Sequence, residues 1–339
     1  MSIVALESLH NSKPVSLVTG AAGFLGSHLV DRLLLEGHMV IGVDNLCSGK
    51  RKNLEQASRY GDEFIFVLAD VSSELELPPV KIDYIWHLAS PASPVDYRRL
   101  SYETMLVNSF GTKVMLDLAA QNKARFLLAS TSESYGDPQV HPQTETYWGN
   151  VNPVGERSCY DESKRFAEAL TFEYRRRFSL DARIIRIFNT YGPRMQITDG
   201  RVVPNFIYQA LSGKPLTVYG DGSQTRSFVY VADEIEGIYR AMLYDHTDGE
   251  VINLGNPDEY RIIQFAEIVT RLCGVKLQTV YKPLPLDDPS KRCPNITKAI
   301  KILNWQPRTN LTEGLMLTID YFQNQLMSSV TEHKIMGAS

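Results

Sequence analysis

The stretch Ala129-Ser-Thr-Ser-Glu-Ser-Tyr-Gly136 places two hydroxyls and a carboxylate, Thr131, Ser132 and Glu133, directly after the apolar run Phe126-Leu-Leu-Ala129. An apolar run that breaks at once into polar residues reads as a buried strand delivering them to a site. About 30 residues further on, Tyr160-Asp-Glu-Ser-Lys164 sets a phenol and an ammonium four positions apart. On a helix such positions share a face. A free tyrosine has a pKa of about 10. A neighbouring cation lowers it and leaves a general base suited to taking a proton from a hydroxyl. A Y-x-x-x-K alone is commonplace, and a polar strand end often only caps a sheet. Their weight comes from what precedes them.

Near the N-terminus, the apolar run Val15–Thr19 enters Gly20-Ala-Ala-Gly23-Phe24-Leu25-Gly26, a G-x-x-G-x-x-G pattern. Such glycines permit a tight turn, close approach of backbone to a pyrophosphate and tight packing of helix on strand. The N–H groups that open the following helix then face the phosphates. Asp44, with Asn45 beside it, ends the next apolar run about 20 residues on, where an acidic side chain accepts hydrogen bonds from an adenosine ribose. A carboxylate there repels a 2′-phosphate, so NAD is favoured over NADP, although Lys50 and Arg51 lie nearby. Asp70-Val71 ends a third run, at the adenine edge. His87-Leu88-Ala89 ends a fourth, where backbone approaches the cofactor; His87 itself reads as structural. With NAD bound, the positive nicotinamide ring would lower the Tyr160 pKa further.

These residues need a scaffold of strands alternating with helices. Val15–Thr19, Met39–Val43, Phe64–Leu68, Tyr84–Leu88, Phe126–Ala129 and Ala182–Ile187 read as buried parallel strands, with helices near 24–36, 102–121 and 160–178 between them. The fold class is therefore α/β, a Rossmann-type doubly wound parallel sheet with a smaller irregular C-terminal substrate domain. Residues 1–188 form the main part of the NAD-binding domain and 189–325 mainly the substrate domain. Segments near 228–256 return to the main sheet, and 326–339 read as a disordered tail. The 339 residues carry a net charge of −4, which gives no reason to expect a nucleic-acid partner. Four scattered cysteines form no C-x-x-C pair, so neither a metal site nor a disulfide framework is indicated. A reducing cytoplasm fits them. No apolar run is long enough to span a membrane, and the N-terminal MSIVALESLHNSKP lacks the basic and apolar regions of a signal peptide.

Taken together, these signals resemble the extended short-chain dehydrogenase/reductase superfamily. Longer strings resemble its UDP-glucuronate decarboxylase (UDP-xylose synthase) family over roughly residues 15–322: His87-Leu-Ala-Ser-Pro-Ala-Ser-Pro94, Ser130-Thr-Ser-Glu133, Tyr160-Asp-Glu-Ser-Lys-Arg165, Ile187-Phe-Asn-Thr-Tyr-Gly-Pro-Arg194, Asp199-Gly-Arg-Val-Val203, Gly222-Ser-Gln-Thr-Arg226 and Asn253-Leu-Gly-Asn-Pro257. Ser134, Ser163, Cys293 and Asn295 depart from the family pattern. The resemblance implies an enzyme, a carboxy-lyase: C4 of UDP-glucuronate is oxidised by catalytic NAD, carbon dioxide leaves the β-keto acid, and C4 is reduced again to give UDP-xylose. It makes Tyr160, Lys164, Thr131, Ser132 and Glu133 catalytic. It assigns Asn189, Val203, Tyr219, Arg226 and Arg292 to the UDP-sugar, and it implies a homodimer through a four-helix bundle built from the helices near 102–121 and 160–178.

Ser132 separates this reading from its siblings. Relatives that dehydrate a sugar carry aspartate there, to protonate a departing hydroxyl. A substrate whose C6 is already a carboxylate needs no such acid, and a second anion beside it would cost several kcal/mol where water is scarce. Ser132 donates to the substrate carboxylate instead, and Thr131 with Tyr160 stabilises an enolate oxygen. Glu133 is left to orient the substrate, hold a water or move a proton. Glu133 and the Ser-Pro-Ala-Ser-Pro94 string argue against a 4-epimerase. Retention of Thr131, Tyr160 and Lys164 argues against a non-catalytic NAD-binding scaffold.

Overall fold

A computed structural model describes residues 13–284, 289 and 291–336. Residues 1–12, most of the N-terminal stretch MSIVALESLHNSKP, and residues 337–339 of the tail lie outside the described residues. The main sheet has seven strands: β1 (Val15–Thr19), β2 (Met39–Asp44), β3 (Phe64–Leu68), β4 (Tyr84–His87), β5 (Arg125–Thr131), β6 (Ala182–Ile187) and β7 (Val251–Leu254). Their order is β7-β6-β5-β4-β1-β2-β3, all pairs parallel. Every residue of β1 and β2 is buried, as expected for strands covered on both faces. The order reverses between β1 and β4, and a crevice opens there at the carboxyl ends of the strands.

Helices cover both faces. On one side, α1 (Phe24–Leu35) presents Leu29, Val30, Leu33 and Leu34 to Val18, Val40 and Trp86. On the other, the expected helix near 102–121 is divided into α2 (Ser101–Leu106), a π-helical turn (Val107–Gly111) and α3 (Thr112–Asn122). The wide turn places buried Asn108 where its amide donates to Ser90 Oγ and Ser163 Oγ, both at 3.1 Å. The 21-residue helix α4 (Ser158–Phe178) packs beside them and over the end of β5.

Beyond β6 the chain builds a third core from Phe206, Phe228, Phe265, Leu315 and Phe322. Helix α5 (Val202–Leu211) belongs to it. So does a parallel pair, Leu216–Tyr219 with Thr279–Lys282, close to a three-stranded sheet in which Thr225–Ser227 is central. Helix α6 (Val231–Leu243) packs on the main sheet and β7 extends it. One expectation fails. The stretch read as a tail from 326 continues the last helix, α7, which runs Leu311–Met336. Leu326, Met327, Glu332, Lys334 and Met336 favour helix, and no proline interrupts them. The two halves are joined by Arg194 to Asp31 at 2.6 Å, by His28 Nε2 to the Pro193 carbonyl at 3.0 Å, and by Gln196 to the Ser48 carbonyl.

Candidate active site

One cavity of about 770 Å³ runs from the glycine turn to the second half of the chain, and every residue assigned from the sequence to cofactor, catalysis or substrate lines it. At the cofactor end, Gly20 has φ +70°, and a Cβ on Gly26 would lie 2.0 Å from the Gly20 carbonyl oxygen. Only glycine lets α1 start this close to β1, which leaves a cradle bounded by Phe24 and Leu25. Asp44 is buried and accepts from Ala22 N at 2.9 Å and Leu46 N at 2.7 Å, so it also ties the glycine turn to β2. Burial raises its pKa. Asn45 donates to Asp70 at 2.9 Å, and Val71 lies buried beside them. The Leu88 and Ala89 N–H groups donate to the Thr19 hydroxyl at 3.2 and 3.1 Å. His87 bridges Thr19 (2.8 Å) and Thr112 (3.1 Å) and is pushed by burial down to about 3, which makes it a neutral structural residue. A pyrophosphate cradle, an acidic strand end and an open crevice fit a dinucleotide with a free 2′-hydroxyl.

At the chemical end, the polar residues sit where β5 stops. The Thr131 hydroxyl caps the short turn Ser132–Tyr135 by accepting from Glu133 N at 3.2 Å. Across from it α4 presents Tyr160, hydrogen-bonded to Thr131, and Lys164, whose Nζ donates to the Ala129 carbonyl at 2.9 Å. The expected lowering of the Tyr160 pKa by Lys164 is not found in this arrangement. Burial raises the phenol to about 12, with Glu133 and Asp161 adding to the rise and Thr131 and Arg201 opposing it. The reason is that Lys164 is itself buried, lowered to about 7, and so loses its charge before the phenol ionises.

Glu133 is held between two guanidinium groups, Arg157 at the start of α4 and Arg292 on the strand Lys291–Arg292. Burial pushes its carboxyl up, but Arg292 and Arg157 outweigh that and bring it down to about 2. It is therefore a carboxylate here. Behind Arg157 lies Asp161, raised to about 7 by burial and by Glu133, with Oδ1 unpaired. Tyr97 stacks on Tyr160 at 5.0 Å and 7°. Arg292 and Arg226 are register partners on parallel strands. Arg226 donates to the Thr225 carbonyl at 2.8 Å, Asn189 to the Ser227 carbonyl at 3.3 Å, while Val203 is buried on α5 and Tyr219 is 39 % exposed at the cavity wall.

Sequence reasoning missed Arg157, Tyr97, Asp161 and Arg201. Arg157 had a signal: a basic residue one helical turn before Tyr160. Tyr97 had none, because its place beside Tyr160 comes from tertiary packing alone. The departures from the family pattern are absorbed structurally. Ser134 lies 3.3 Å from Ser130 Oγ, Ser163 donates to the Cys159 carbonyl at 2.6 Å, and Cys293 N and Asn295 N both bond to Gln143.

A family model described as GDP-mannose 4,6 dehydratase matches residues 17–318. UDP-glucuronic acid decarboxylase 1 of Arabidopsis thaliana is 49 % identical over 312 residues, 92 % of this chain and 70 % of that protein. Among solved structures, UDP-glucose 4-epimerase of Thermotoga maritima with UDP-glucose is 32 % identical, with a TM-score of 0.83 over 92 % of this chain and 99 % of that one. UDP-glucuronic acid 4-epimerase of Bacillus cereus, in complex with UDP-glucuronic acid and NAD, is 28 % identical, with the same TM-score and coverage.

Proposed function

The chain belongs to the UDP-glucuronic acid decarboxylase family of extended short-chain dehydrogenase/reductases, and on that premise we propose that it converts UDP-glucuronate to UDP-xylose and carbon dioxide. NAD, when bound, supplies the hydride acceptor for C4 and the donor that returns it. Tyr160, in hydrogen-bond contact with Thr131, takes the proton of the 4-hydroxyl and later gives it back. The same two groups stabilise the enolate oxygen left when carbon dioxide departs, and C5 then takes up a proton from water before C4 is reduced. Ser132, buried in the cavity wall, offers the substrate carboxylate a hydroxyl where a second carboxylate would repel it.

The observation that carries this reading is Glu133, ionised between Arg157 and Arg292 directly beyond Thr131 and Ser132. With serine at 132 and Glu133 held as a carboxylate, the end of β5 offers no carboxylic acid to protonate a departing hydroxyl, which favours decarboxylation over dehydration. It orients the sugar and steadies the two arginines. Residues to 188 hold NAD in this reading, and 189–325 mainly the UDP-sugar, through Asn189, Val203, Tyr219, Arg226 and Arg292. The exposed side chains Tyr102, Met105, Phe110 and Phe166 on α2, the π-turn and α4 support a homodimer joined by a four-helix bundle. Four free cysteines support a reducing cytoplasm. Among the described residues no helix is long and apolar enough to cross a membrane.

Proton NMR of the purified protein with UDP-glucuronate and catalytic NAD tests the reaction. UDP-xylose with release of carbon dioxide is the expected result. UDP-galacturonate would make the protein an epimerase, and UDP-4-keto-pentose accumulating with NADH would remove the final reduction from the cycle.

A further inference from the structure

Arg292 reaches Glu133 from a strand of only two residues, Lys291–Arg292, at the edge of the three-stranded sheet. So short a pairing fixes a side chain weakly. The chain that follows is held more firmly, by Gln143. This residue is fully buried in the segment between the Ser132–Tyr135 turn and α4. Its N–H donates to the Cys293 carbonyl at 2.9 Å and its carbonyl accepts from Asn295 N at 2.8 Å, a parallel bridge opposite Pro294. Its side chain adds a third bond, Oε1 accepting from Cys293 N at 2.8 Å, while Nε2 donates to the Val140 carbonyl at 2.9 Å. All three bonds to 293 and 295 go to backbone, so the side chains that depart from the family pattern there do not enter them. The clamp is anchored to the main sheet. Asn253 on β7 donates to the Gln143 carbonyl at 3.0 Å and accepts from the Tyr135 hydroxyl at 2.8 Å, two residues beyond Glu133. Beside it His141 Nε2 lies 2.8 Å from Glu259, whose other oxygen accepts from Thr225 on the central strand of the three-stranded sheet at 2.7 Å.

We propose that Gln143 is a positioning residue for the reaction: it locks the chain just after Arg292 to the loop just after Glu133, and so sets these two side chains against each other in the cavity. Glu133 and Arg292 stand 159 positions apart, and neither one's own element places the other. Arg292 also donates to the Gly136 carbonyl at 3.3 Å, so a shift of its strand loosens both contacts together. Without the Gln143 amide, Cys293 N and the Val140 carbonyl would be left buried and unpaired. The segment must then move or admit water to satisfy them. A movement of about 1 Å is enough to break a hydrogen bond and to misplace a group that orients a substrate.

The kinetic consequence rests on the decarboxylase reading, while the placement of Arg292 is read without any sugar nucleotide. Gln143→Met keeps the length of the side chain and removes its donor and acceptor. Gln143→Ala keeps the main-chain bonds and decides in its place if the methionine variant does not fold; binding of NAD at the glycine turn reports folding. A crystal structure of the NAD-bound variant should show Arg292 displaced from Glu133. Turnover of UDP-glucuronate per NAD-bound protein should fall about 10- to 100-fold. In an Arg292→Met background the same Gln143 substitution should change turnover by less than about twofold, because the group it positions is already gone. A loss of stability alone would lower both backgrounds equally. Arg292 still seated on Glu133 in the variant overturns the proposal, as do undiminished turnover with Arg292 displaced and effects of the two substitutions that multiply. A wild type that does not turn over UDP-glucuronate defeats the decarboxylase reading instead, and the crystal structure alone then decides whether Gln143 places Arg292.

Discussion

Glu133 shows how a single residue becomes fixed in a role. Burial alone would neutralise it, and without it both arginines would lose the carboxylate that balances their charge in a closed wall. Together Arg157, Glu133 and Arg292 keep the carboxylate ionised and immobile at the end of β5. Its folded pKa is depressed from 4.5 to about 2, so its contribution to stability is present above pH 4.5 and is lost as the pH falls towards 2. Arg157→Gln should therefore cost about 3 kcal/mol at neutral pH. That cost should shrink when denaturant unfolding is repeated near pH 3, where Glu133 in the variant is protonated. A deficit independent of pH would mean that Arg157 acts through packing against Tyr97.

Helix α6 carries a liability of the opposite sign. Glu234 is fully buried against the main sheet, and neither carboxylate oxygen has a hydrogen-bond partner. Burial, with Asp233 adding to it, raises its pKa well above the usual value. A carboxyl whose folded pKa is raised binds its proton more tightly in the folded state. The folded state is then penalised increasingly as the pH rises above about 4.5. Glu234→Leu should stabilise the protein by about 1–3 kcal/mol at pH 7, with a gain that grows with pH over the range where wild type loses stability. Unfolding curves across that range read both. A variant less stable at every pH would show that the carboxyl is engaged by an internal water that leucine cannot replace.

At the scale of the whole molecule, α2, the π-turn and α4 leave apolar side chains exposed. Phe110 is 60 % and Phe166 52 % exposed, whereas Val107, Val114, Leu118 and Leu170, on the same helical segments, pack on the chain's own core. The apolar residues of these segments thus divide between an internal and an external surface. Sedimentation should give the mass of a dimer, and the paired substitution Phe110→Glu with Phe166→Glu should give a folded monomer. A wild-type monomer at working concentration would remove the four-helix bundle. The same helices carry Tyr160 and Lys164, so the dissociated variant should also report, through its turnover, whether pairing steadies the site.

The amino-acid sequence by itself determined the parallel sheet, the glycine cradle, the strand-end trio Thr131, Ser132 and Glu133, and the helical pair Tyr160 and Lys164. Each is local: a short apolar run, a turn only glycine allows, or a four-residue spacing on one helix face. The tertiary structure decided what those residues are chemically. The ionisation of Glu133 depends on Arg157 and Arg292, the latter supplied by a strand more than 150 residues away. The charge on Lys164 depends on how deeply α4 is buried on β5, and no spacing rule reports burial. The path of 102–121 through a π-turn was likewise invisible to composition, which reads polarity but not the surface a segment packs on. Chemistry that rests on periodicity is legible in one dimension. Electrostatics in a closed cavity depends on distances between remote segments, which only the folded chain sets.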